Sequence, residues 1–252
     1  MSARDDILLR IRQTRRTGHA SEGLVQSRLD AHPRGPLPSI DADLTARFRV
    51  RATSLASDVR GPVTASEAPA AIAAYLAEKQ SPLRAVCWPS LQAMKWSAAG
   101  LSVEARAARG DDLVGITGAF CAIAETGTLM LLSGPETPAT VSLLPETHVA
   151  LVPLARIVAR MEDGFDLLRR EHSTPPRAAT HREVRVQGRA GCAPGPRATH
   201  RDAQVQRRTG VRLARAVNFI SGPSRTADIE QTVTLGAHGP YRVCIVLVSD
   251  DL

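Results

Sequence analysis

From about residue 60 the chain alternates short apolar runs with stretches of helical periodicity. The runs at 84–88, 113–117, 127–132, 147–152, 216–220 and 241–248 read as strands. Most carry apolar residues at successive positions, the pattern of strands covered on both faces. Residues 68–79 and 157–169 read as helices, and 118–124 as a short helix or turn. Strands interleaved with helices point to an α/β architecture.

The first quarter has a different texture. Ser2 and Asp5 resemble a capping box ahead of Ile7, Leu8 and Ile11, which share a helical face. A Pro- and Gly-rich loop follows at 32–38. Leu44, Phe48, Leu55 and Val59 then recur at spacings of 4, 7 and 4, predicting a second helix over 44–59. Residues 1–60 thus read as a helical arm on a single domain spanning 1–252.

Residues 171–213 break the alternation. They are rich in Arg, Ala, Gly, Pro, Thr and His, and 174–210 hold no large apolar residue except scattered Val. Such a segment buries too little apolar surface to offset the entropy of ordering it, so a disordered insertion is expected. It holds an internal echo, PRAATHRE at 176–183 and PRATHRD at 196–202. Either a local duplication or a disturbed reading frame would produce it.

Charge then changes the picture. The formal net charge of +7 comes from 32 basic and 25 acidic side chains. Residues 169–215 hold twelve arginines against three acids, a net of +9, so the remainder is nearly neutral. The basicity belongs to one segment, which weakens any argument for a nucleic-acid binder. With two Trp, two Tyr and four Phe there is no stacking platform for single strands. No apolar run reaches the roughly 18 residues of a membrane span. Asp5 and Asp6 at the start argue against a secretory or transit signal, and the expected location is cytoplasmic.

Cys87, Cys121, Cys192 and Cys244 are widely separated, and three sit in apolar or small-residue runs where cysteine serves as a small core residue. The spacing suits neither zinc nor an iron–sulfur cluster, which need closely spaced ligands. No metal site is expected, and His172, His181 and His200 read as solvated.

Three stretches can carry chemistry. Ser221 to Glu230 (SGPSRTADIE) follows a strand and reads as opening a helix, capped by Ser224 or Thr226 with Asp228 and Glu230 in its first turn. Free amides at such an end favour an anion, Gly222 permits close approach, and Arg225 can add a bidentate contact. The same pattern also describes a well-capped helix start with no ligand. In the second stretch, Thr117 to Phe120 and Glu125-Thr126-Gly127-Thr128 flank strand ends, where open α/β sheets place ligands. Glu125 can be a base, a nucleophile, a ligand contact or an exposed turn carboxylate. The third is Gly236-Ala237-His238-Gly239-Pro240, where His238 can act as acid or base or simply brace the turn.

The motifs ETGT (125–128), SGPSRTADIE (221–230) and GAHGP (236–240), in this order and within their apolar flanks, resemble the LUD-domain family. The resemblance covers most of 1–170 and 216–248. It implies a Rossmann-like three-layer sheet of the CoA-transferase and sugar-phosphate-isomerase type. It also implies a part in oxidising L-lactate to pyruvate, as a subunit without iron–sulfur clusters that works with partner subunits carrying them. This chain itself then binds no cofactor. Carried over by motif, Glu125 is the catalytic candidate. Thr126, Gly127, Thr128, Gly222, Pro223, Ser224, Arg225, Thr226, His238 and Gly239 form a candidate pocket for a small carboxylate or phosphate. Two alternatives stay open: a self-sufficient transferase or isomerase using Glu125, and a regulatory nucleic-acid binder using the Arg-rich segment. The chain departs from the family at 171–215, where the usual connection is shorter and less basic.

Overall fold

A computed structural model describes residues 3–16, 22–32, 34–40, 42–172, 214–227, 233–236 and 238–250. Ser2, Cys192 and residues 173–213 of the segment expected to be disordered over 171–213 lie outside these, while Glu171 and His172 of that segment instead end a helix. The chain divides into two compact units, Met1–Ser39 and Ile40–Leu252. The first contains helices α1 (Ala3–Arg16) and α2 (Glu22–Ala31). Ile7, Leu8 and Ile11 do form one apolar stripe of α1, and it is exposed.

The second unit opens with α3 (Leu44–Ser54), whose N-cap Asp43 accepts a 2.9 Å bond from the Ala46 amide. Phe48 and Ala52, four residues apart, are fully buried in the main core. The helix expected over 44–59 stops at Ser54, and Val59 belongs to strand β1 (Asp58–Val63). Residues 40–60 are therefore part of the main body and not of an arm. Helix α4 (Ala68–Glu78) follows and buries Ala68, Ile72, Tyr75 and Leu76, one helical stripe.

The central sheet has six strands in the order β1-β12-β7-β4-β2-β3, all parallel. The further members are β2 (Arg84–Cys87), β3 (Ser102–Ala105), β4 (Val114–Gly118), β7 (Thr147–Pro153) and β12 (Arg242–Val248). Every residue of β7 and β4 is buried, as are six of the seven in β12. Both faces are covered, which explains runs of successive rather than alternating apolar residues.

A smaller sheet, in the order β8-β5-β6-β9, lies beside it. It comprises β5 (Cys121–Ile123), β6 (Thr128–Leu132), β8 (Ile157–Val158) and β9 (Val217–Ile220). Residues 118–124, expected as a short helix or turn, instead finish β4 and form β5. The helix expected over 157–169 begins later, as α6 (Met161–His172), because Ile157 and Val158 pair with Ala122 and Ile123. His172, expected to be solvated, closes α6 with its ring 6.1 Å from Phe120.

The side-chain alternation of β5 and β6 builds two layers. Ala122, Leu129 and Leu131 point into the main core. Cys121 and Met130, paired across the strands, face the other way and meet Leu168 of α6. Gly164 permits this approach: a Cβ there would stand 3.2 Å from both sulfur atoms. A short helix, α5 (Thr140–Leu143), packs on β4 and β7, and Gly115 of β4 leaves room for its Val141 carbonyl. The hairpin β10 (Arg225–Ala227) and β11 (Val233–Leu235) completes the fold.

Leu168 is the one large, fully buried side chain of α6. Leu168→Ala is expected to lower the unfolding free energy by about 3 kcal/mol, the usual cost of a buried leucine truncation. Leu143→Ala, at a largely exposed position, is expected to change it by less than about 0.5 kcal/mol. Urea titration of both variants checks the layer assignment.

Candidate functional site

The first two motifs meet at the carboxyl-terminal end of α3, and the third joins them through Ser224. Gly127 adopts φ +71° in the turn between β5 and β6. A Cβ there would lie 2.5 Å from the Ala52 nitrogen, so only glycine lets the turn rest on the helix backbone. Gly222 has φ +85°, and a Cβ would stand 2.2 Å from the Leu55 carbonyl oxygen, one residue past α3. Arg225 reaches the same carbonyl oxygen at 3.4 Å. A guanidinium there complements the unsatisfied carbonyls and negative pole of a helix end.

Hydrogen bonds tie the motifs to one another. Thr126 Oγ1 donates to Thr128 Oγ1 at 2.8 Å, and Thr128 Oγ1 lies 2.8 Å from Ser221 Oγ. With Thr126 as donor, the Thr128 proton can pass on to Ser221, leaving the exposed Ser221 hydroxyl free to donate outward. The second and third motifs join through the Ser224 amide, which donates to the Pro240 carbonyl at 2.9 Å, while the Gly236 amide donates to the Ser224 carbonyl at 3.0 Å. Gly239 sits against the Ser224 side chain. Pro223 is half-buried between Gly222 and Ser224.

Other candidates take looser positions. Glu125 is half-buried at the hairpin tip, its amide donating to the Ala159 carbonyl at 3.0 Å. Its carboxylate makes no hydrogen bond among the described residues. His238 is exposed in its turn. The backbone of Thr226 pairs with Thr234.

Two expectations need correction. The SGPSRTADIE stretch does not open a helix at Ser224, because Arg225–Ala227 is a strand paired with Val233–Leu235. Asp228 and Glu230 lie outside the described residues. The free amides of a helix start are thus not what surrounds Arg225; a helix carbonyl end is. Any anion here would be met by the guanidinium and the Ser221 hydroxyl. Thr117 to Phe120 also do not join Glu125. Phe120 bonds to Met130 at the far end of the hairpin, and the Thr117 side chain points into the core.

Sequence reasoning left Ser221 off the list of site residues, although the register of β6 and β9 places it opposite Thr128, one step beyond the Leu129–Ile220 pair. It also passed over His148. This residue is fully buried in β7, with Nε2 2.8 Å from Thr117 Oγ1 of neighbouring β4 and no partner for Nδ1. Burial depresses its pKa to about 4. The three described cysteines are buried thiols. Burial pushes Cys87 up to about 11, and Cys121 and Cys244 up to about 12. They act as core residues and not as thiolate ligands. Among the described residues no group of three or more His, Cys, Asp or Glu stands together as metal ligands. No helix among them is long and apolar enough to cross a membrane.

The LUD domain family model matches residues 89–184 and 197–248, which include all three motifs and the strands that hold them. The chain belongs to the LUD-domain family. It is 32% identical to Lactate utilization protein C of Bacillus subtilis over 137 residues, 54% of this chain and 42% of that protein. Against the protein of the same name from Halalkalibacterium halodurans it is 34% identical over 137 residues, 54% of this chain and 44% of that one. The chain thus matches less than half the length of these curated relatives. A crystal structure of a DUF162 family protein from Deinococcus radiodurans superposes with a TM-score of 0.50 at 20% identity, covering 84% of this chain and 99% of that one. That likeness supports the mixed α/β fold with its mostly parallel central sheet.

Two predictions follow from this geometry. Gly222→Ala is expected to destabilise the protein far more than Gly100→Ala. Both glycines have positive φ, but a Cβ at Gly100 meets nothing within 4 Å. Gly100→Ala should cost about 1 kcal/mol of backbone strain, and thermal melting compares the two. The second concerns pH. The folded His148 pKa lies below the ordinary value of 6.5, so the unfolded chain binds the extra proton. The His148 contribution is complete above pH 6.5 and is lost as pH falls toward 4, by about 1.4 kcal/mol per pH unit. His148→Gln should flatten that part of the stability profile; an unchanged slope would assign the acid sensitivity elsewhere.

Proposed function

We propose that this chain serves lactate utilization as a component without iron–sulfur clusters of an assembly that oxidises L-lactate to pyruvate. The observation that carries the reading is its similarity to two proteins named Lactate utilization protein C, at 32% and 34% identity. In this reading the two electrons leaving lactate pass to partner proteins that hold the clusters. The neutral, buried thiols of Cys87, Cys121 and Cys244 suit that division of labour. In this reading the assembly works in the cytoplasm, and the domain is a Rossmann-like one of the CoA-transferase and isomerase type, a reading with which the parallel central sheet is consistent.

Within the assembly, the joined motifs are the substrate-side surface. Arg225 supplies charge for a small carboxylate, and the outward Ser221 hydroxyl supplies a second donor. Thr126 and Thr128 orient that hydroxyl. Gly127 and Gly222 seat both segments on α3, and Glu125 lies at the hairpin tip as the available base.

Co-expression with cluster-bearing partner proteins should give a complex that co-purifies and reduces an electron acceptor when L-lactate is added. Arg225→Ala is expected to lower that turnover about tenfold, the factor equivalent to ~1.4 kcal/mol. Failure to co-purify and to support lactate-dependent reduction would overturn the assembly reading. A fully active assembly containing Arg225→Ala would overturn only the role given to Arg225.

A further inference from the structure

Helix α3 carries Arg47, Arg49 and Arg51 at alternate positions and no acid. The three have different surroundings. Arg49 is committed to the edge of the sheet: its guanidinium donates to the Val59 carbonyl at 2.9 Å and to the Gly61 carbonyl at 2.6 Å. Arg47 is half-buried. Arg51 is exposed, and its side chain has no hydrogen-bond or ion-pair partner among the described residues. Its neighbour one turn back is Arg47, a like charge that repels rather than supports the helix.

Two contacts place Arg51 against the joined motifs. The Gly127 turn rests on its backbone, where a Cβ at Gly127 would stand 2.6 Å from the Arg51 carbonyl carbon. Leu55, four positions on, shares a helical face with Arg51. Gly222 lies against that residue, and a Cβ there would stand 3.3 Å from Leu55 Cβ. Arg225 reaches the Leu55 carbonyl oxygen. Four residues of helix advance about 6 Å, so Arg51 emerges one turn from the point that Arg225 touches. Between the two turns, Thr128 and Ser221 bond to each other, and Ser221 is exposed. Glu125, the acid on the same hairpin as Gly127, is half-buried and pairs with neither arginine. An arginine in the last turn of a helix also complements its negative pole. Arg225 already lies at that carbonyl end, however, and the five donors of the Arg51 fork stay open.

We propose that Arg51 and Arg225 together hold the carboxylate of a small 2-hydroxy acid, with the Ser221 hydroxyl bonding to the hydroxyl on the adjacent carbon. A carboxylate accepts about four hydrogen bonds, enough for both guanidinium groups. The identity of the acid rests on the lactate reading; the arginine pair rests on the contacts at α3. Arg51 lies outside all three motifs, so motif reasoning alone does not reach it.

The test is calorimetric titration of the full chain with L-lactate, glycolate and propionate, the last lacking the hydroxyl. L-lactate is expected to bind more tightly than propionate, and Ser221→Ala to narrow that difference. Arg51→Gln is expected to weaken L-lactate about tenfold. Arg109→Gln removes an exposed arginine outside the motifs and α3, and should leave binding unchanged. A second readout needs no variant: phenylglyoxal labelling of wild type, followed by peptide mass, should show Arg51 and Arg225 protected by saturating L-lactate and Arg109 unprotected. Glycolate binding that depends on Arg51, without L-lactate binding, would uphold the pair and overturn the lactate reading. L-lactate binding that Arg51→Gln leaves intact, with Arg51 unprotected, would overturn the pair and leave the lactate reading standing. An equal loss from Arg109→Gln, or no binding of any of the three acids, also overturns the proposal.

Discussion

The candidate site depends on how closely two backbone turns approach the end of one helix. Gly127 and Gly222 are 95 positions apart, yet both press their backbones against the last turn of α3 and the residue after it. Neither approach tolerates a side chain, and both need a left-handed backbone. Once the turns are seated, the rest follows from short-range chemistry. Thr128 comes opposite Ser221, Arg225 comes within reach of the Leu55 carbonyl, and the Ser224 amide meets the Pro240 carbonyl. Phe48 and Ala52 fix α3 itself by burial in the main core. The helix therefore links core packing to the geometry of the motifs.

That arrangement changes the electrostatic character of the site. A helix start would have offered amides and a positive pole; the end of α3 offers carbonyls and a negative one. The positive charge needed to hold a carboxylate must then come from side chains, with Arg225 the exposed guanidinium within the joined motifs. The hydroxyl chain from Thr126 to Ser221 adds a neutral donor whose direction is set by its neighbours. The elements also sit near the amino-terminal side of the sheet. Leu55 precedes Asp58, the first residue of β1, and Pro240 precedes Arg242, the first of β12. Open α/β sheets more often place ligands at the opposite, carboxyl-terminal ends.

The central strands were legible because burial on both faces leaves a mark that needs no partner to read. LVGIT, THVALV and RVCIVLV are apolar regardless of register. The outer strands left no such mark. β1 reads DVRGPV, carrying Arg60 and a Gly61–Pro62 pair, and β3 reads SVEA. Both occupy sheet edges, where charges and proline are tolerated because one side of the backbone is unpaired. The misread of SGPSRTAD has a similar origin. Small hydroxylic residues after a glycine suit a helix cap and a tight hairpin equally, and only the pairing with Val233–Leu235 decides. His148 was hidden by its surroundings, since a histidine in an apolar run gives no sign of the hydroxyl two strand positions deep on the neighbouring strand.

Motifs distant in sequence form one coupled unit at the end of α3. A double-mutant cycle between Thr128→Val and Ser221→Ala measures that coupling across 93 positions. The geometry predicts a coupling energy of about 1 kcal/mol in unfolding free energy, the net value of one partly buried hydrogen bond. Strict additivity of the two substitutions would show that the motifs stand side by side without acting together, and would contradict the account.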